Sequence, residues 1–418
     1  MAVPTAREDS PRRGAAPAKR EEGAPEVTEN SLDNSDAGAE PLRIVHVLRA
    51  PVGGLFRHVL DLAREQITRG HEVGLVTDSL TGGARGAAQL AELAPSLSLG
   101  VLRLPIHRPP HVTDLSVLLK VGRRLAELNP DVVHGHGSKG GLLARVAGPG
   151  TSPFVGVRVY TPHGGSLNYR PGTWSHRLFM MMEAILAWRT DLLLFESGYI
   201  ADRFESLVGK PRHLAHVVRN GIAPRELEPV TPDADAADLL YVGEFRSAKG
   251  LDTLIDALGL LAKTTGRRPS LVLVGDGPER AALSARAETL GVASQLNFRA
   301  PMAAREAFAA GRVLVVPSRA ESLPYIVLEA AGAHKPIIAT RVGGMAEIFG
   351  PYSSGLIPCD NPGVLRDALA RMLDETAQES SAKTRELADY VGARFSLSGM
   401  VDSVLAGYRE AIARRARS

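Results

Sequence analysis

Two glutamates, Glu321 and Glu329, carry the strongest chemical signal in this sequence because of what surrounds them. A strand-like run at 313–318 precedes Glu321, and Pro324 is suited to start a helix because its missing N–H needs no partner there. The first turn of that helix would offer backbone N–H groups to phosphate or sugar oxygens, at Leu323, Tyr325 and Ile326. The carboxylates would accept hydrogen bonds from sugar or ribose hydroxyls. The segment therefore predicts a site for a phosphorylated sugar, with two solvated glutamates as the alternative.

A basic turn at 243–250 follows a strand-like run in the same half of the chain. Gly243 permits close approach of the backbone to a ligand, and Arg246 and Lys249 place two cations where the strand ends. A diphosphate leaving group gains negative charge as a sugar departs, so cations aimed at it stabilise the transition state more than the ground state. We therefore predict that both cations contact a diphosphate; a solvated basic turn is the alternative.

Gly53 and Gly54 lie in the first strand-to-helix turn of the other half of the chain, where they would let the backbone approach a phosphate from the opposite side. The pair does not match the G-x-G-x-x-G pattern of dinucleotide-binding folds. The segment 275–280 hints at that pattern, but Pro278 and Glu279 interrupt it. We interpret it as a turn beside the ligand rather than as an NAD site.

Several basic side chains follow strand-like runs in the first half of the chain and are expected to approach one rim: His134, His136, Lys139 and His163. His163, in a Thr-Pro-His-Gly-Gly turn, is predicted to contact the transferred sugar, with a structural, hydrogen-bonded histidine as the alternative. His134 and Lys139 are candidates for the acceptor side. His134 and His136 are expected to face opposite sides of their strand and therefore not to share a metal ion.

No metal site is predicted elsewhere. The D-x-D motif at Asp233 and Asp235 lies in a Pro-rich segment rather than at a strand end, where a metal-binding motif would be useful. The single cysteine, Cys359, excludes an intrachain disulfide and a cysteine-based zinc site.

These residues need a scaffold that brings strand ends together, and the alternation of segments predicts one. Apolar runs typical of buried strands occur at 43–48, 72–77, 131–136, 154–161, 191–195, 214–219, 239–244, 270–276, 313–318 and 336–340. Amphipathic segments separate them, which predicts parallel sheets covered by helices on both sides. The fold class is therefore α/β, with two doubly wound Rossmann-like domains facing each other across a cleft. The predicted boundaries are a disordered tail at 1–41, an N-terminal domain at 42–222, a linker at 223–237, a C-terminal domain at 238–395 and a helix at 396–418 that could cross back to the N-terminal domain.

Composition narrows the function. The 418 residues suffice for two domains, and 44% hydrophobic and 23% charged residues are ordinary for a globular protein. A net charge of +3, with basic residues spread along the chain, argues against a nucleic-acid partner. The N-terminus lacks the apolar core of a signal peptide, and charged residues interrupt the apolar stretch at 178–195. We expect a cytoplasmic protein, with peripheral contact between 178–189 and the inner face of the cell membrane left open.

The segments resemble the family 4 retaining glycosyltransferases. The matching motifs occur in the family's order: GGLFRHVLDLA, VVHGHGSKGGLLAR, YTPHGG, VVRNGI, YVGEFRSAKGLDTLIDAL, LVLVGDGPER, ESLPYIVLEAAGAHKPIIAT and RVGGMAEIF. The resemblance implies a GT-B fold, a nucleotide diphosphate sugar held mainly by the C-terminal domain, an acceptor held by the N-terminal domain, and retention at the anomeric carbon. It implies neither a metal nor a cofactor.

The resemblance also assigns roles to single residues. Glu329 would bind the ribose, Glu321 the donor sugar and Lys249 the diphosphate. Gly54 would offer its backbone N–H to the phosphate, and His163 would face the transferred sugar.

The sequence departs from the family pattern at three positions. The usual Gly-Arg-Leu is replaced here by Gly243, Glu244 and Phe245, so we expect Arg246 to supply the missing cation. Ser322 and Ala223 stand where the family commonly has glycine and aspartate, and both are expected to be tolerated.

Spacing also bears on mechanism. Residues eight apart in a helix lie ~12 Å apart along its axis, too far for the carboxyl pair ~5–5.5 Å apart that a retaining hydrolase uses. We therefore expect the departing phosphate to assist deprotonation of the acceptor on the same face of the sugar. The predicted function is a retaining, metal-independent hexosyltransferase acting on a sugar or lipid-linked sugar acceptor in cell-surface polysaccharide or glycolipid biosynthesis. The alternatives are a catalytically silent nucleotide-sugar-binding subunit and a sugar-nucleotide epimerase on the same fold.

Overall fold

The computed structural model describes residues 28–29, 40–147, 156–168 and 172–417. Within them the chain forms two α/β domains, each built on a parallel sheet. The predicted disordered tail at 1–41 lies outside the described residues, except for a two-residue strand at Thr28–Glu29 and for residues 40 and 41.

The N-terminal domain is built on an eight-stranded sheet in which all neighbouring strands are parallel. Its strands are β1 (Thr28–Glu29), β2 (Arg43–Leu48), β3 (Glu72–Asp78), β4 (Gly100–Leu104), β5 (Val132–His136), β6 (Val157–Thr161), β7 (Leu192–Phe195) and β8 (Leu214–Val217). Their order across the sheet is β1-β8-β7-β6-β5-β2-β3-β4. Its helices are α1 (Gly53–Thr68), α2 (Gly83–Leu93), α3 (Asp114–Leu128), α4 (Gly137–Val146), α5 (Trp174–Ala187) and α6 (Gly198–Leu207).

The C-terminal domain is built on a five-stranded parallel sheet of order β11-β10-β9-β12-β13. Its strands are β9 (Ala237–Val242), β10 (Leu271–Val274), β11 (Leu296–Arg299), β12 (Gly311–Val316) and β13 (Ile337–Ala339). The helices of this half of the chain are α7 (Leu251–Thr265), α8 (Arg280–Thr289), α9 (Ala304–Ala309), α10 (Tyr325–Gly332), α11 (Met345–Phe349), α12 (Pro362–Asp374), α13 (Ala377–Arg394) and α14 (Leu397–Ala416).

All ten predicted strands are present, and the two doubly wound domains confirm the predicted α/β, GT-B fold class. The sequence does not predict β1, β4 or β11. All three lie at the edge of a sheet, where a strand has only one neighbour. Both β4 and β11 leave several of their residues partly exposed. They therefore lack the continuous apolar run by which a strand buried on both faces is recognised.

The strand order places one switch point in each sheet. In the N-terminal sheet the order reverses between β2 and β5, and in the C-terminal sheet it reverses between β9 and β12. Connections leave these neighbouring strands in opposite directions, which opens a crevice at their carboxyl ends where ligands of such folds bind. Of the segments singled out in the sequence, those of Gly53, Lys139, Lys249 and Glu321 follow these four strands, and the His163 turn follows β6.

The last helix, α14, packs against the N-terminal sheet rather than against the C-terminal one. Its buried residues Met400, Val404 and Tyr408 belong to one apolar cluster with Ile44 of β2 and Leu192 of β7. The chain therefore begins and ends its described fold in the same domain.

Candidate active site

Lys249 and Glu321, two residues predicted to bind the donor, form an ion pair at the switch point of the C-terminal sheet. Lys249 ends a short helical turn, Ser247–Lys249, that follows β9, and Glu321 lies in the loop after β12. The Lys249 Nζ is 2.6 Å from Glu321 Oε1, and the Ser318 hydroxyl donates to the same oxygen at 2.6 Å. A cation and a carboxylate therefore meet in the crevice between β9 and β12.

A glycine turn after β13 supports the loop that carries Glu321. Gly343 has a φ of +56°, and a Cβ at this position would lie 1.7 Å from the Glu321 carbonyl oxygen. The neighbouring Gly344 donates its backbone N–H to the Ser322 carbonyl at 2.7 Å. Only glycine fits at position 343, and the close approach that it permits sets the position of Glu321.

Arg246, the second predicted diphosphate-binding cation, is paired within its own turn. Its Nε lies 2.9 Å from Glu244 Oε2, and the two side chains are 43% and 53% exposed. Gly243 is needed beside them, because a Cβ there would lie 2.7 Å from the Tyr241 hydroxyl. The structure thus brings Lys249 to Glu321. Arg246, which was expected to replace the cation missing at position 244, is instead paired with Glu244 itself.

Glu329 lies inside α10, and its partner comes from the other domain. Its carboxylate forms an ion pair with Arg57 of α1, which also pairs with Glu226 at 2.6 Å and with Asp61 at 3.2 Å. Burial raises the pKa of Glu329 to about 7, although Arg57 opposes the shift. Arg57 also stacks over Tyr325, 4.5 Å from its ring centroid. The predicted ribose-binding glutamate is therefore held at the boundary between the domains.

The glycine turn of the N-terminal domain faces the start of α10. Gly53 opens α1 with a φ of +68°, and a Cβ on Gly54 would lie 3.6 Å from Tyr325 Cδ2. The Tyr325 hydroxyl crosses the same boundary and lies 3.0 Å from His58 Nδ1. The two predicted phosphate-facing turns therefore lie on opposite walls of one cleft.

The backbone N–H groups predicted to face a phosphate lie at and just before the start of α10. Tyr325 and Ile326 are the first two residues of the helix, whose first amides have no partner within it. Leu323, just before Pro324, is buried, and its carbonyl accepts a hydrogen bond from Asn220 Nδ2 at 2.8 Å. Asn220 thus anchors the predicted donor-binding loop to the N-terminal domain.

Five histidines meet below the N-terminal wall of the cleft: His46, His58, His134, His136 and His163. The expectation that His134 and His136 face opposite sides is wrong, because their ring centroids are 3.9 Å apart on one side of β5. Side chains alternate along a strand, so residues two apart share a face. His46 joins them because β2 and β5 pair with His46 opposite His134.

Three of these rings form a hydrogen-bonded chain that leads from the protein interior to the cleft. Gln66 Oε1 lies 2.8 Å from His46 Nε2, His46 Nδ1 lies 3.0 Å from His136 Nε2, and His136 Nδ1 lies 3.1 Å from His163 Nε2. Burial lowers the pKa of these histidines, to about 4 for His46. The rings are therefore uncharged at neutral pH.

His134 does not reach the rim, so the expectation that it approaches an acceptor is not met. It is fully buried, with one ring nitrogen 2.6 Å from the Tyr408 hydroxyl and the other 2.8 Å from Thr161 Oγ1. Lys139, the other acceptor-side candidate, lies in the first turn of α4 and pairs with Asp114 at 2.5 Å. Only Lys139 of these two stands near the surface.

The turn that carries His163 is held by buried carboxylates. His163 has a φ of +51°, and its backbone N–H donates to Glu196 Oε2 at 3.3 Å. Glu196 is buried, and burial raises its pKa to about 7. Below the turn, Glu183 accepts a hydrogen bond from Ser166 at 2.8 Å and pairs with the buried Arg145 at 2.8 Å. His163 is therefore fixed from two sides.

A second contact between the domains lies beside this turn. Glu347 of α11 accepts the backbone N–H groups of Gly198 at 3.1 Å and Tyr199 at 2.9 Å, which are the first two of α6. Arg219 also donates to Glu347 at 2.9 Å. A carboxylate at a helix N-terminus is electrostatically favourable, so this contact holds the two walls together.

Arg57, His58, Glu196 and His46 were not among the residues predicted to form the site. Arg57 and His58 lie one turn into the helix that Gly53 and Gly54 open, which is a signal that they face the ligand side. His46 could be found only from the strand register, and Glu196 only from its place at the end of a central strand.

Family models match nearly the whole described chain. Residues 52–226 match the model of Glycosyltransferase Family 4, and residues 224–389 match that of Glycosyl transferases group 1. The chain is 31% identical to a D-inositol 3-phosphate glycosyltransferase of Acidothermus cellulolyticus, covering 87% of each chain. It is 27% identical to D-inositol 3-phosphate glycosyltransferase 1 of Catenulispora acidiphila, covering 90% of this chain and 97% of the relative.

A solved structure shares the fold. Sucrose-phosphate synthase from Thermosynechococcus elongatus superposes with a TM-score of 0.72 at 19% identity, covering 89% of this chain and 100% of the other. The fold agrees with the strand order of both sheets, and the family matches agree with the motifs on both walls of the cleft. The chain therefore belongs to glycosyltransferase family 4 and is a glycosyltransferase.

Proposed function

We propose that the protein is a retaining, metal-independent hexosyltransferase that moves a sugar from a nucleotide diphosphate to an acceptor hydroxyl. The observation that carries this proposal is the contact between Lys249 and Glu321, 2.6 Å apart at the C-terminal switch point. In the proposed complex Lys249 neutralises the diphosphate, Glu321 binds the sugar and Glu329 binds the ribose. The amides that open α10 and Gly54 hold phosphate oxygens from two walls.

The proposed reaction proceeds on one face of the sugar. The bond between the anomeric carbon and the phosphate oxygen breaks, the acceptor oxygen bonds to the same carbon, and the departing phosphate takes the acceptor's proton. Glu321 is unsuited to be the nucleophile of a double displacement, because Lys249 and Ser318 both donate to its Oε1. Hydrogen bonds and a neighbouring cation stabilise the carboxylate and lower its reactivity. His163 contacts the transferred sugar from the N-terminal wall.

Release of nucleoside diphosphate from a panel of nucleotide sugars, with candidate acceptors added, tests this proposal. Release that requires an acceptor supports transfer. Donor conversion without an acceptor would indicate an epimerase. Binding of donors without any turnover would indicate a catalytically silent subunit. The pairing of Arg246 with Glu244 favours this alternative, because it occupies a cation that the diphosphate would need. The acceptor panel includes inositol 3-phosphate, since two relatives are named for it, and lipid-linked sugars.

The Gly343 turn gives a sharper test of the site. We expect Gly343→Ala to lower kcat at least tenfold, because the added methyl group would push the Glu321 loop away, and misplacement by about 1 Å can cost 10²-fold. Initial rates of nucleotide release measure the effect. Gly355→Ala is the matched control, since nothing lies within 4 Å of a Cβ at that position. Equal rates in the two variants would contradict the proposed role of the turn.

We further propose that α5 lies on the inner face of the cell membrane and brings the site to a lipid-linked acceptor in polysaccharide or glycolipid synthesis. One side of this helix exposes large apolar residues at helical spacing: Trp174, Leu178, Met181, Ile185 and, just beyond its end, Trp188. Arg177 and Arg189 flank them, and Arg212 stacks over Trp188 at 3.7 Å. Apolar residues beside basic ones suit an anionic lipid surface. No helix in the described residues combines the length and apolar character needed to span a bilayer.

Sedimentation with vesicles of anionic phospholipid tests the α5 surface. We expect Leu178→Asp combined with Ile185→Asp to weaken vesicle binding at least tenfold, because each change removes apolar area from the contact and adds a charge that anionic lipid repels. Leu290→Asp is the control, since this exposed leucine lies in the C-terminal domain. Unchanged binding in the double variant would exclude α5 as the contact.

A further inference from the structure

Three imidazoles at the cleft are close enough to share one ion. One ring nitrogen of each of His58, His136 and His163 lies within 4.8 Å of those of the other two. Two of these residues are in hydrogen-bonding contact, with His136 Nδ1 3.1 Å from His163 Nε2. Zinc bound tetrahedrally at about 2.0–2.1 Å from nitrogen would place neighbouring ligand atoms roughly 3.4 Å apart. A small movement of the rings would therefore accommodate a metal ion.

Hydrogen bonds at the far nitrogens orient two of these rings. His136 Nε2 lies 3.0 Å from His46 Nδ1, and His46 Nε2 lies 2.8 Å from Gln66 Oε1. The His58 Nδ1 lies 3.0 Å from the Tyr325 hydroxyl, and the Asn220 side chain also hydrogen-bonds to His58. Metal-binding histidines usually have such a partner on the nitrogen that does not bind the metal. The rings are thus already held in the way that ligands require.

A second group of three histidines, His46, His134 and His136, also has ligand atoms within 4.8 Å of one another. Both nitrogens of His134 are bound to residues outside this group, Tyr408 and Thr161, so this ring has no nitrogen to turn toward an ion. This group is satisfied as a hydrogen-bonded core. Among the described residues, only the group that contains His163 also borders the cleft.

We propose that His58, His136 and His163 bind one divalent transition-metal ion of the Zn²⁺ class, with its fourth position open to the cleft. Neutral imidazole is the form that binds such ions, and burial lowers the pKa of His58 to about 3. The ion is not part of glycosyl transfer. It engages His163, which would otherwise contact the sugar, so it inhibits transfer; this consequence rests on the proposed function, whereas binding of the ion does not.

Titration of the full-length, chelator-treated protein with Co²⁺ tests the site without any assay of transfer. We expect one bound equivalent with the visible bands of tetrahedral Co²⁺. His163→Asn and His136→Asn should each weaken binding at least tenfold and abolish the bands. Asparagine tolerates the positive φ of +51° at position 163 and suits the N-cap of α4 at position 136, so both variants should fold, as circular dichroism would check.

His111→Ala is the matched control, because His111 and His107 stack with ring centroids 3.9 Å apart on the surface and could bind Co²⁺ adventitiously. The proposal is overturned if the parent protein shows no bands, if both asparagine variants keep them, or if His111→Ala loses them. Gln66→Leu should weaken Co²⁺ binding about tenfold, as loss of an outer-shell partner does.

Nucleotide release measured with and without Zn²⁺ tests the inhibition separately. Zinc should inhibit the parent protein and leave the residual rate of His136→Asn unaffected. Full activity of the zinc-saturated parent would overturn the inhibition, and no release under any condition would overturn the proposed function while the Co²⁺ result stands.

Discussion

Lys249→Ala is expected to lower kcat for sugar transfer by about 10²–10³-fold, the usual effect of removing one preorganised charge from a site where negative charge develops. The diphosphate gains negative charge as its bond to the sugar breaks. The fold decrease in kcat should therefore exceed any fold increase in the donor KM. In the structure Lys249 is only 21% exposed and its Nζ already points at Glu321, so no reorganisation is needed before the reaction. Initial rates over a range of donor concentrations separate kcat from KM.

Lys263→Ala is the matched control for Lys249→Ala. Lys263 is an exposed lysine near the end of α7 in the same domain, and its removal changes the net charge equally. If both variants lost activity alike, the effect would be one of overall charge. If Lys249→Ala kept full activity, the assignment of the diphosphate site would be wrong.

Glu183→Leu is expected to lower the free energy of unfolding of the N-terminal domain by about 3–5 kcal/mol, the cost of leaving a buried charge without its partner. Arg145 is fully buried and its Nη2 lies 2.8 Å from Glu183. Tyr160 and Ser166 also donate to Glu183, at 3.1 Å and 2.8 Å. Because Ser166 follows the His163 turn, the change should also loosen that turn and lower activity.

A double variant separates loss of charge compensation from loss of packing. Arg145→Met combined with Glu183→Leu removes both charges, and such apolar replacements are often close to neutral, so we expect recovery of more than half of the lost stability. Denaturant unfolding followed by tryptophan fluorescence suits this test, since both tryptophans, Trp174 and Trp188, lie in or next to α5, which carries Glu183. Equal stability of the single and double variants would contradict the role of the ion pair.

The parts of the fold that local patterns encode were predictable. Central strands read as continuous apolar runs because helices cover both faces of a parallel sheet, and Pro324 marked the start of α10. Since both sheets are doubly wound, the turns after β2, β9 and β12 had to meet at a cleft. The contact between Lys249 and Glu321 follows from that topology.

Other features depend on contacts that no local pattern records. Glu329 was predicted to bind a ribose, and the sequence did not indicate its ion pair with Arg57, which lies 272 positions earlier in the chain. Residues two apart in a strand lie on the same face, so the shared face of His134 and His136 was predictable and the expectation of opposite faces was wrong. The pairing of Arg246 with Glu244 reflects two exposed side chains whose geometry the sequence does not restrict.

The return of α14 to the first domain has a consequence for synthesis of the protein. This helix is 20 residues long and completes an apolar cluster that also contains residues of β2 and β7. During translation the first domain therefore emerges with part of its interior uncovered, and that surface stays open until α14 has emerged. Cutting the chain between the domains would leave the first fragment without α14, and it would leave the apolar side of α14 exposed on the second fragment.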